Sequence, residues 1–397
     1  MNVMTHRFSP VLAKAFLIVF LCSLTAFAQK NVIAKTDTAP KPAPAKRKVI
    51  AITAENPKPK PAKRRSPSRK VKLPTYGNPA IDDDQSSDDP VVRAAVQEAL
   101  GKINGAVIVV QSDTGRVLSI VNQKLAFQDG YQPCSSFKPA VALAALSEGI
   151  ISEESNSLQL GKRWKLDLDD ALAQSNNLYF EKLGKTLGIE KLQWYAHQFG
   201  FGEQAGWGIQ QEPPGGFPSE PPPAREGGVG KIASFGQGIS MTLFQLVSFT
   251  AALANGGTLY YLQYPQPSDS VEGFVPRVKR YLHFGDSAGS IRRGMEQAVL
   301  AGTARRAKQP DVSIFGKTGT CSQGQARLGW FTGYSKDGLS VAVLLHTGLK
   351  IGGGPKASEI AGKIFRKLAD KNYLAHFSPQ PHLPTAPPAL IQLTPQF

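Results

Sequence analysis

Three short motifs in this sequence place serine and lysine where they could support acyl transfer through a nucleophilic hydroxyl. They are S-x-x-K at residues 135–138, S-x-N at 175–177 and K-T-G-T at 317–320. One S-x-x-K string is expected about once by chance in a chain of this size. All three in this order are hard to obtain by accident, so we interpret them as one site.

The first motif supplies a nucleophile and a base. A serine hydroxyl reacts poorly at its free pKa and needs a base within hydrogen-bond reach. We expect a helix to begin at Ser135, which places Lys138 one turn on, on the same face. Burial beside other cations shifts a lysine toward its neutral amine. Lys138 can then accept the Ser135 proton, and the helix N-terminus favours negative charge there.

The other motifs supply a proton relay and an anchor for substrate. We expect Ser175 to pass a proton to the leaving group, and Asn177 to hydrogen-bond both Lys138 and a substrate amide. Lys317 offers positive charge to a substrate carboxylate. Acylation chemistry therefore has a candidate for each proton transfer.

Residues 313–320 are predicted to form a strand that pairs edge-on with an extended peptide. Thr318, Gly319 and Thr320 would then contact the substrate, with Gly319 keeping the strand face bare for close approach. The backbone N–H groups of Ser135 and Thr320 would form an oxyanion hole.

Each motif also has an ordinary structural interpretation. Ser135 could cap a helix, Lys138 could be a solvated helix residue, and Ser175 could cap a helix that begins near Asn177. Residues 317–319 could form a turn. Only the combination favours catalysis.

The motifs and their surroundings resemble the transpeptidase domain of penicillin-binding proteins, closest to the class B type. The resemblance runs from about Asn104 to about Leu368. It implies a D,D-transpeptidase or carboxypeptidase that acts on peptidoglycan stem peptides and binds β-lactams, with an acyl-enzyme on Ser135. Besides the motifs, the similar segments are 131–139, 176–202, 233–240, 251–257 and 329–334.

Two cysteines depart from the family pattern. Cys134 occupies the position before the nucleophile, which is usually Gly, and Cys321 occupies a position that is often Ala. Some serine carbapenemases of the class A β-lactamase group have a disulfide at the same motif-relative positions. By this resemblance we predict a Cys134–Cys321 disulfide, with two buried free thiols as the alternative.

Two other functions compete with the transpeptidase interpretation. A serine β-lactamase would need a deacylating base, and Glu212 lies in the general region expected for one in class A enzymes. However, Gly216 and Phe217 surround the place where the companion Asn is wanted, and the Tyr-Gly-Asn string of class D enzymes occurs only far upstream, at 76–78. The third candidate is a non-catalytic β-lactam sensor or binding module.

Composition divides the chain into four predicted parts. Residues 1–28 are typical of a signal peptide, with Ala26-Phe27-Ala28 before the cleavage point, and an uncleaved membrane anchor is the alternative. Residues 29–89 are predicted to be a disordered, Pro- and Lys-rich linker with an acidic end. Residues 90–375 form the expected transpeptidase domain, and residues 376–397 a disordered Pro-rich tail. We therefore expect an exported protein of the periplasm or cell envelope.

The basic character of the chain belongs to the linker. Residues 29–75 contain 14 Lys and Arg against 2 Asp and Glu, a net charge of +12 out of the formal total of +16. In an exported protein we expect anionic phospholipids or acidic wall polymers, not nucleic acid, as partners of this segment. A solvated spacer is the simpler alternative. The acidic patch at 82–89 could pair loosely with the tail or only mark the boundary.

The predicted fold is α+β, an antiparallel sheet flanked by helices with an adjoining all-helical lobe. Pro213 to Gly230 is expected to be a loop. The spacing of ligand residues shows no metal site, and no cofactor is expected. Strands are predicted at 107–111, 116–121, 313–320, 327–334 and 339–346, and helices at 168–173, 189–199, 242–254, 290–300 and 357–369.

Overall fold

The structure is a computed structural model, and it describes residues 74–265, 273–283, 288–348 and 351–377. Within these residues no helix is both long enough and apolar enough to cross a membrane. The helices are α1 Pro90–Leu100, α2 Gln123–Ala126, α3 Lys138–Ser147, α4 Leu168–Ala173, α5 Asn177–Gln198, α6 Gly228–Phe235, α7 Leu243–Ala254, α8 Ala288–Leu300 and α9 Gly354–Asp370. The strands are β1 Gly105–Gln111, β2 Val117–Val121, β3 Leu158–Gly161, β4 Trp164–Leu166, β5 Thr258–Tyr260, β6 Val278–Tyr281, β7 Ile314–Gln323, β8 Ala326–Ser335 and β9 Leu339–Gly348.

A five-stranded antiparallel sheet forms the centre of the molecule, in the order β2-β1-β9-β8-β7. Short turns join β7, β8 and β9. Positive φ angles at Gly324 and Gly338 allow those reversals, because a residue without Cβ adopts them at no steric cost. The order leaves β7, which carries K-T-G-T, at one edge of the sheet.

Both faces of the sheet are buried. Val107 faces the layer formed by α1 and α9, whereas its neighbour Ile108 faces the opposite layer, which includes α3 and α7. Alternation along a strand explains this division. A strand buried on both faces reads as one apolar run, as residues 106–110 do. The predicted α+β architecture is confirmed.

The helical lobe contains α3 at its core. α3 is apolar around most of its circumference, and every residue from Lys138 to Leu146 is buried. Such a helix must be surrounded by other elements. It contacts α5, α6 and α8, so the lysine at its first position lies inside the protein.

One predicted boundary in this lobe is confirmed and another needs correction. α5 consists of two helical segments joined at Gly188, whose φ of +77° and ψ of 170° are not helical, so the second segment begins at Ile189 as predicted. The first segment begins at Asn177. The loop predicted for 213–230 ends earlier, because α6 begins at Gly228.

The predicted linker boundary at residue 89 also needs correction, because residues 74–89 contact the domain. The Thr75 carbonyl accepts a hydrogen bond from the Asn104 amide at 2.9 Å. Asp83 and Asp88 both pair with the buried Arg93, at 3.0 and 2.6 Å. The acidic patch is thus bound to α1. Residues 1–73 and the tail from 378 lie outside the described residues, so the signal peptide or anchor at 1–28, the disordered linker and the Pro-rich tail stay predictions.

Candidate active site

The nucleophile candidate lies on a tight turn, not on the α-helix itself. Residues 134–137 form a 3-10 turn, and α3 begins at Lys138, so the predicted helix start at Ser135 is three residues too early. Ser135 is half-buried and Lys138 is completely buried. The turn still places the base candidate just after the hydroxyl candidate at the entrance of the lobe.

The ammonium group of Lys138 contacts the S-x-N motif. It donates to the Ser175 carbonyl at 2.6 Å, to Ser175 Oγ at 3.1 Å and to Asn177 Oδ1 at 2.7 Å. Within the described part of the chain, no hydrogen bond joins it to Ser135. Catalytic hydrogen bonds are often long without substrate, so proton transfer between these two residues stays a prediction.

Backbone geometry explains how Ser175 reaches this position. Its φ is +57°, a left-handed conformation that few non-glycine residues adopt. Its neighbour Asn176 caps α5, accepting a hydrogen bond from the Tyr179 amide at 3.0 Å. Because Asn176 is the cap, the alternative in which Ser175 caps the helix is wrong. Ser175 is held instead between the ends of two helices, facing the lysines.

Lys317 reaches the same serine from the sheet. Its ammonium group donates to Ser175 Oγ at 2.9 Å and to the Thr318 carbonyl at 2.9 Å. Burial lowers the pKa of Lys317 to about 7. Burial, assisted by the charge of Lys317, lowers the pKa of Lys138 to about 6. Near neutral pH, Lys138 is therefore mostly the neutral amine that a general base requires.

Gly319 lets β7 lie directly against the nucleophile turn. A Cβ at Gly319 would be 2.7 Å from the Pro133 carbonyl oxygen and 3.0 Å from the Ser136 nitrogen. The sequence predicts that Gly319 allows the substrate backbone to approach the strand closely. In the structure, the backbone that lies against Gly319 is the nucleophile turn of the chain itself.

Thr318 and Thr320 point away from that turn. Thr318 Oγ1 donates to Thr303 Oγ1 at 2.9 Å, and Thr320 Oγ1 accepts from the Gly354 amide at 2.6 Å. Thr318 is only 5% exposed. The Thr318 hydroxyl is therefore engaged inside the protein, and substrate contacts by residues 318–320 stay predictions. The oxyanion-hole roles of the Ser135 and Thr320 amides stay predictions.

A disulfide links the nucleophile turn to β7. Cys134 and Cys321 are bonded, with their Cα atoms 5.7 Å apart. The φ of Cys134 is +56°, in the region that favours glycine. This conformation accounts for the glycine usually found there in the resembled family. In this chain a cysteine adopts the left-handed conformation and forms a covalent link across the site.

Thr303 is a site residue that the sequence did not reveal. Its amide donates to the Ala173 carbonyl at 3.0 Å, just before Ser175, while its hydroxyl accepts from Thr318. Gly302 packs so tightly that a Cβ would lie 2.3 Å from the Ala173 oxygen. The segment 302–303 thus links the K-T-G-T strand to the end of α4, two residues before the S-x-N motif. A Gly-Thr pair after a helix is too common a pattern to have signalled this.

The carboxylate of Glu212 is hydrogen-bonded to the backbone of its own loop. Its carboxylate oxygens accept from the amides of Ala205 and Gly206, at 2.9 and 2.6 Å. It is almost fully buried, and burial raises its pKa to about 7. A carboxylate with both oxygens bound to a turn is a structural anchor, and this geometry gives no support to the deacylating base of the β-lactamase alternative.

Comparison with known proteins gives this arrangement a family. The family model described as the penicillin binding protein transpeptidase domain matches residues 105–370. The chain belongs to this family. The match includes all three motifs and both cysteines.

Curated relatives support the assignment. Stage V sporulation protein D of Bacillus subtilis is 33% identical over 229 residues, which are 52% of this chain and 35% of that protein. Peptidoglycan D,D-transpeptidase MrdA of Haemophilus influenzae is 25% identical over 376 residues, covering 74% of this chain and 56% of that protein. The chain thus spans between about a third and just over half of the length of these penicillin-binding proteins.

A solved structure supports the fold. The transpeptidase domain of penicillin-binding protein 3 from Burkholderia pseudomallei, in its apo form, aligns with a TM-score of 0.61 and 21% identity. The alignment covers 77% of this chain and 98% of that one. The predicted resemblance to penicillin-binding transpeptidase domains is therefore confirmed.

Proposed function

We propose that this penicillin-binding transpeptidase domain is a serine D,D-transpeptidase or D,D-carboxypeptidase that acts on peptidoglycan stem peptides. One observation carries the proposal. The side chains of Lys138 and Lys317, from two separate motifs, meet at the hydroxyl of Ser175 from the third. A set of three structural caps and turns has no reason to converge in this way.

The chemistry follows from the positions. Neutral Lys138 takes the proton of Ser135 as the serine oxygen bonds to the carbonyl carbon of the penultimate D-alanine residue. The bond to the terminal D-alanine nitrogen then breaks, and that nitrogen receives a proton through Ser175. Water or an amine of a second stem peptide subsequently attacks the ester on Ser135 and frees the serine.

Two further groups orient the reactants. Asn177 accepts a hydrogen bond from Lys138, which holds the amine toward Ser175. Lys317 is fully buried, and its burial disfavours the charged form. A bound substrate carboxylate would stabilise its charged form, so binding of the correct substrate would favour the ammonium state.

The catalytic domain would act on the outer side of the cytoplasmic membrane, where peptidoglycan lies. We accordingly propose an exported, envelope-associated protein whose basic segment contacts anionic phospholipid or acidic wall polymer. Fusion of residues 1–35 to a reporter that is active only after export tests the first part, and failure of export would contradict it.

Intact-mass analysis after mixing the protein with benzylpenicillin tests the function. We expect a stable adduct of one drug molecule on the wild-type protein and none on a folded Ser135→Ala variant. An adduct on the folded variant, or no adduct on the wild type, would contradict the proposal. Rapid loss of the adduct with drug hydrolysis would indicate a β-lactamase instead.

A further inference from the structure

A solvent-exposed hairpin that contacts α5, the helix that carries Asn177, bears three cations without an ion pair among the described residues. β3 and β4 pair in a register that sets Gly161 opposite Trp164. Lys162 and Arg163 therefore form the turn, and Lys165 follows Trp164. All of them are exposed. Among the ion pairs of the described residues, none includes Lys162, Arg163 or Lys165.

Three acidic residues follow the hairpin, and none forms an ion pair with it among the described residues. Asp167 caps α4 by accepting from the Asp170 amide at 2.8 Å, and Asp169 pairs with Arg293 at 2.8 Å. The Asp170 side chain is exposed and has no ion pair among the described residues. The three cations of the hairpin therefore lack a direct carboxylate partner, although these acidic residues offset part of their charge.

Trp164 has a partly exposed ring with no aromatic or cationic partner among the described residues. It is 43% exposed, and in the described part of the chain it takes part in no aromatic or cation–π contact. Trp207 is similarly exposed, at 51%, but Arg277 lies 4.7 Å from its ring centre and Tyr261 packs against it edge-to-face, with ring centres 5.3 Å apart. The two tryptophans differ in that the Trp207 ring already has a cationic and an aromatic partner, whereas the Trp164 ring has neither among the described residues.

The start of α5 connects the hairpin to the site. Asn177 lies in the site, and the next residue, Leu178, is 50% exposed. Lys182, four residues on, shares that face of the helix. Its ammonium group donates to the Gln159 carbonyl of β3 at 3.1 Å. We define the cationic strip as Leu178, Lys182, Lys162, Arg163, Trp164 and Lys165.

We propose that the cationic strip binds the polymeric part of the substrate, the peptidoglycan strand that flanks the stem peptide being cleaved. This rests on the proposed function. Stem peptides carry free carboxylates, which match the unpaired cations, and the apolar face of a sugar ring fits a free indole face. Continuity with Asn177 favours this occupant over a lipid surface, which would need no connection to the site.

The test compares polymeric with short substrates, using the full chain. One pair of variants changes the strip: Trp164→Ala, and the triple change Lys162→Ala, Arg163→Ala, Lys165→Ala. There are two matched controls. One is Trp207→Ala, and the other is the triple variant Lys308→Ala, Lys336→Ala, Lys371→Ala. These three lysines are exposed and form no ion pair among the described residues. The two triple variants lose the same net charge.

For soluble peptidoglycan chains that carry pentapeptide stems, the KM should rise about tenfold in the strip triple variant, because each exposed charge pair contributes roughly 0.2–1 kcal/mol. The kcat, the KM for the free pentapeptide and the rate of acylation by benzylpenicillin should stay unchanged. Trp164→Ala should raise the same KM, and both controls should behave as the wild type.

An equal rise in the control variants would overturn the proposal, since it would then reflect general charge. The proposal would also be overturned if the strip triple variant kept the wild-type KM for peptidoglycan chains but no longer bound phosphatidylglycerol vesicles. That result would indicate that the strip binds a lipid surface. If benzylpenicillin does not acylate the wild type, the proposed function fails by itself. Co-sedimentation with insoluble peptidoglycan then tests separately whether the cationic strip binds the polymer. Equal binding by the strip triple variant and the control triple variant would overturn that proposal.

Discussion

The ammonium groups of Lys138 and Lys317 both bind the hydroxyl oxygen of Ser175, at 3.1 and 2.9 Å. A hydroxyl offers two lone pairs and one proton. Two charged lysines therefore occupy both lone pairs, and their repulsion in a buried site makes that state costly. Loss of a proton from Lys138 relieves it and turns this lysine into an acceptor. Ser175 can then pass a proton between the lysine and a leaving group.

This relationship predicts how the acylation rate depends on pH. The rate should rise as the pH increases through about 6, the pKa of Lys138, because only the neutral amine can accept a proton. Lys317→Met removes one of the two causes that lower this pKa, so the acid limb should move to higher pH. The variant should also react about 100-fold more slowly, a typical cost of deleting one electrostatic group in an active site.

Stopped-flow measurement of acylation by a fluorescent penicillin between pH 5 and pH 9 locates the acid limb of the rate profile. Lys308→Met, at an exposed position, serves as the control and should leave the profile unchanged. An acid limb that stays in place in Lys317→Met, or moves to lower pH, would show that the two lysines are not coupled.

Glu212 gives a second prediction, on the fate of the acyl-enzyme. Glu212→Gln should leave the release rate of the penicilloyl adduct unchanged, because the carboxylate binds two amides of its own loop. The variant should lose about 1–3 kcal/mol of unfolding free energy, since a buried amide N–H group would face a donor. Intact-mass decay and thermal unfolding measure the two effects. A slower release with unchanged stability would identify Glu212 as a deacylating base.

The sequence predicts which residues could carry the chemistry of the site better than it predicts which contacts hold those residues in place. S-x-x-K, S-x-N and K-T-G-T appear as strings because each residue type is demanded by a reaction. The groups that hold them together leave no comparable pattern. Thr303 hydrogen-bonds Thr318 and the carbonyl of Ala173, two residues before the S-x-N motif, yet its neighbours in the chain do not indicate these contacts across the fold. The left-handed φ of Ser175 is likewise fixed by packing between two helices, not by local propensity.

The elements show a similar division. The strands of the central sheet were found because apolar runs bounded by turns are strong local signals. The second segment of α5 follows from its amphipathic pattern, whereas the sequence offers the segment that begins at Asn177 only as an alternative to the catalytic interpretation of Ser175. Residues 74–89 were assigned to the linker because their composition is polar. Their place in the fold depends on Arg93, which pairs with Asp83 and Asp88, and such a pairing cannot be read from composition.

Thr303 gives a third prediction, on how the motifs are held together. Thr303→Val keeps the shape of the side chain but removes the acceptor of the Thr318 hydroxyl, which is 5% exposed. We expect a loss of about 1–3 kcal/mol of unfolding free energy from the unpaired hydroxyl, and a severalfold slower acylation by benzylpenicillin.

Thr303→Ser retains the acceptor and should restore the acylation rate. The acid limb of the pH profile should be the same in both variants, because neither change touches Lys138. A Thr303→Val protein that is less stable but reacts at the wild-type rate would limit Thr303 to a structural role.

The last prediction separates the two effects of Cys134, its disulfide and its backbone conformation. The bond to Cys321 closes a loop with a sequence separation of 187 residues. The chain-entropy model gives such a loop a stabilisation of about 4–5 kcal/mol. Reductant should therefore lower the melting temperature of the wild-type protein and leave that of Cys134→Ala/Cys321→Ala unchanged.

The double variant Cys134→Gly/Cys321→Ala should be more stable than Cys134→Ala/Cys321→Ala, by about 1 kcal/mol. The reason is the φ of +56° at position 134, which glycine adopts without the steric cost that alanine incurs. Chemical denaturation of the two variants measures the difference. Equal stability would mean that the turn relaxes once the bond is removed, so that the disulfide itself holds the residue before Ser135 in its left-handed conformation.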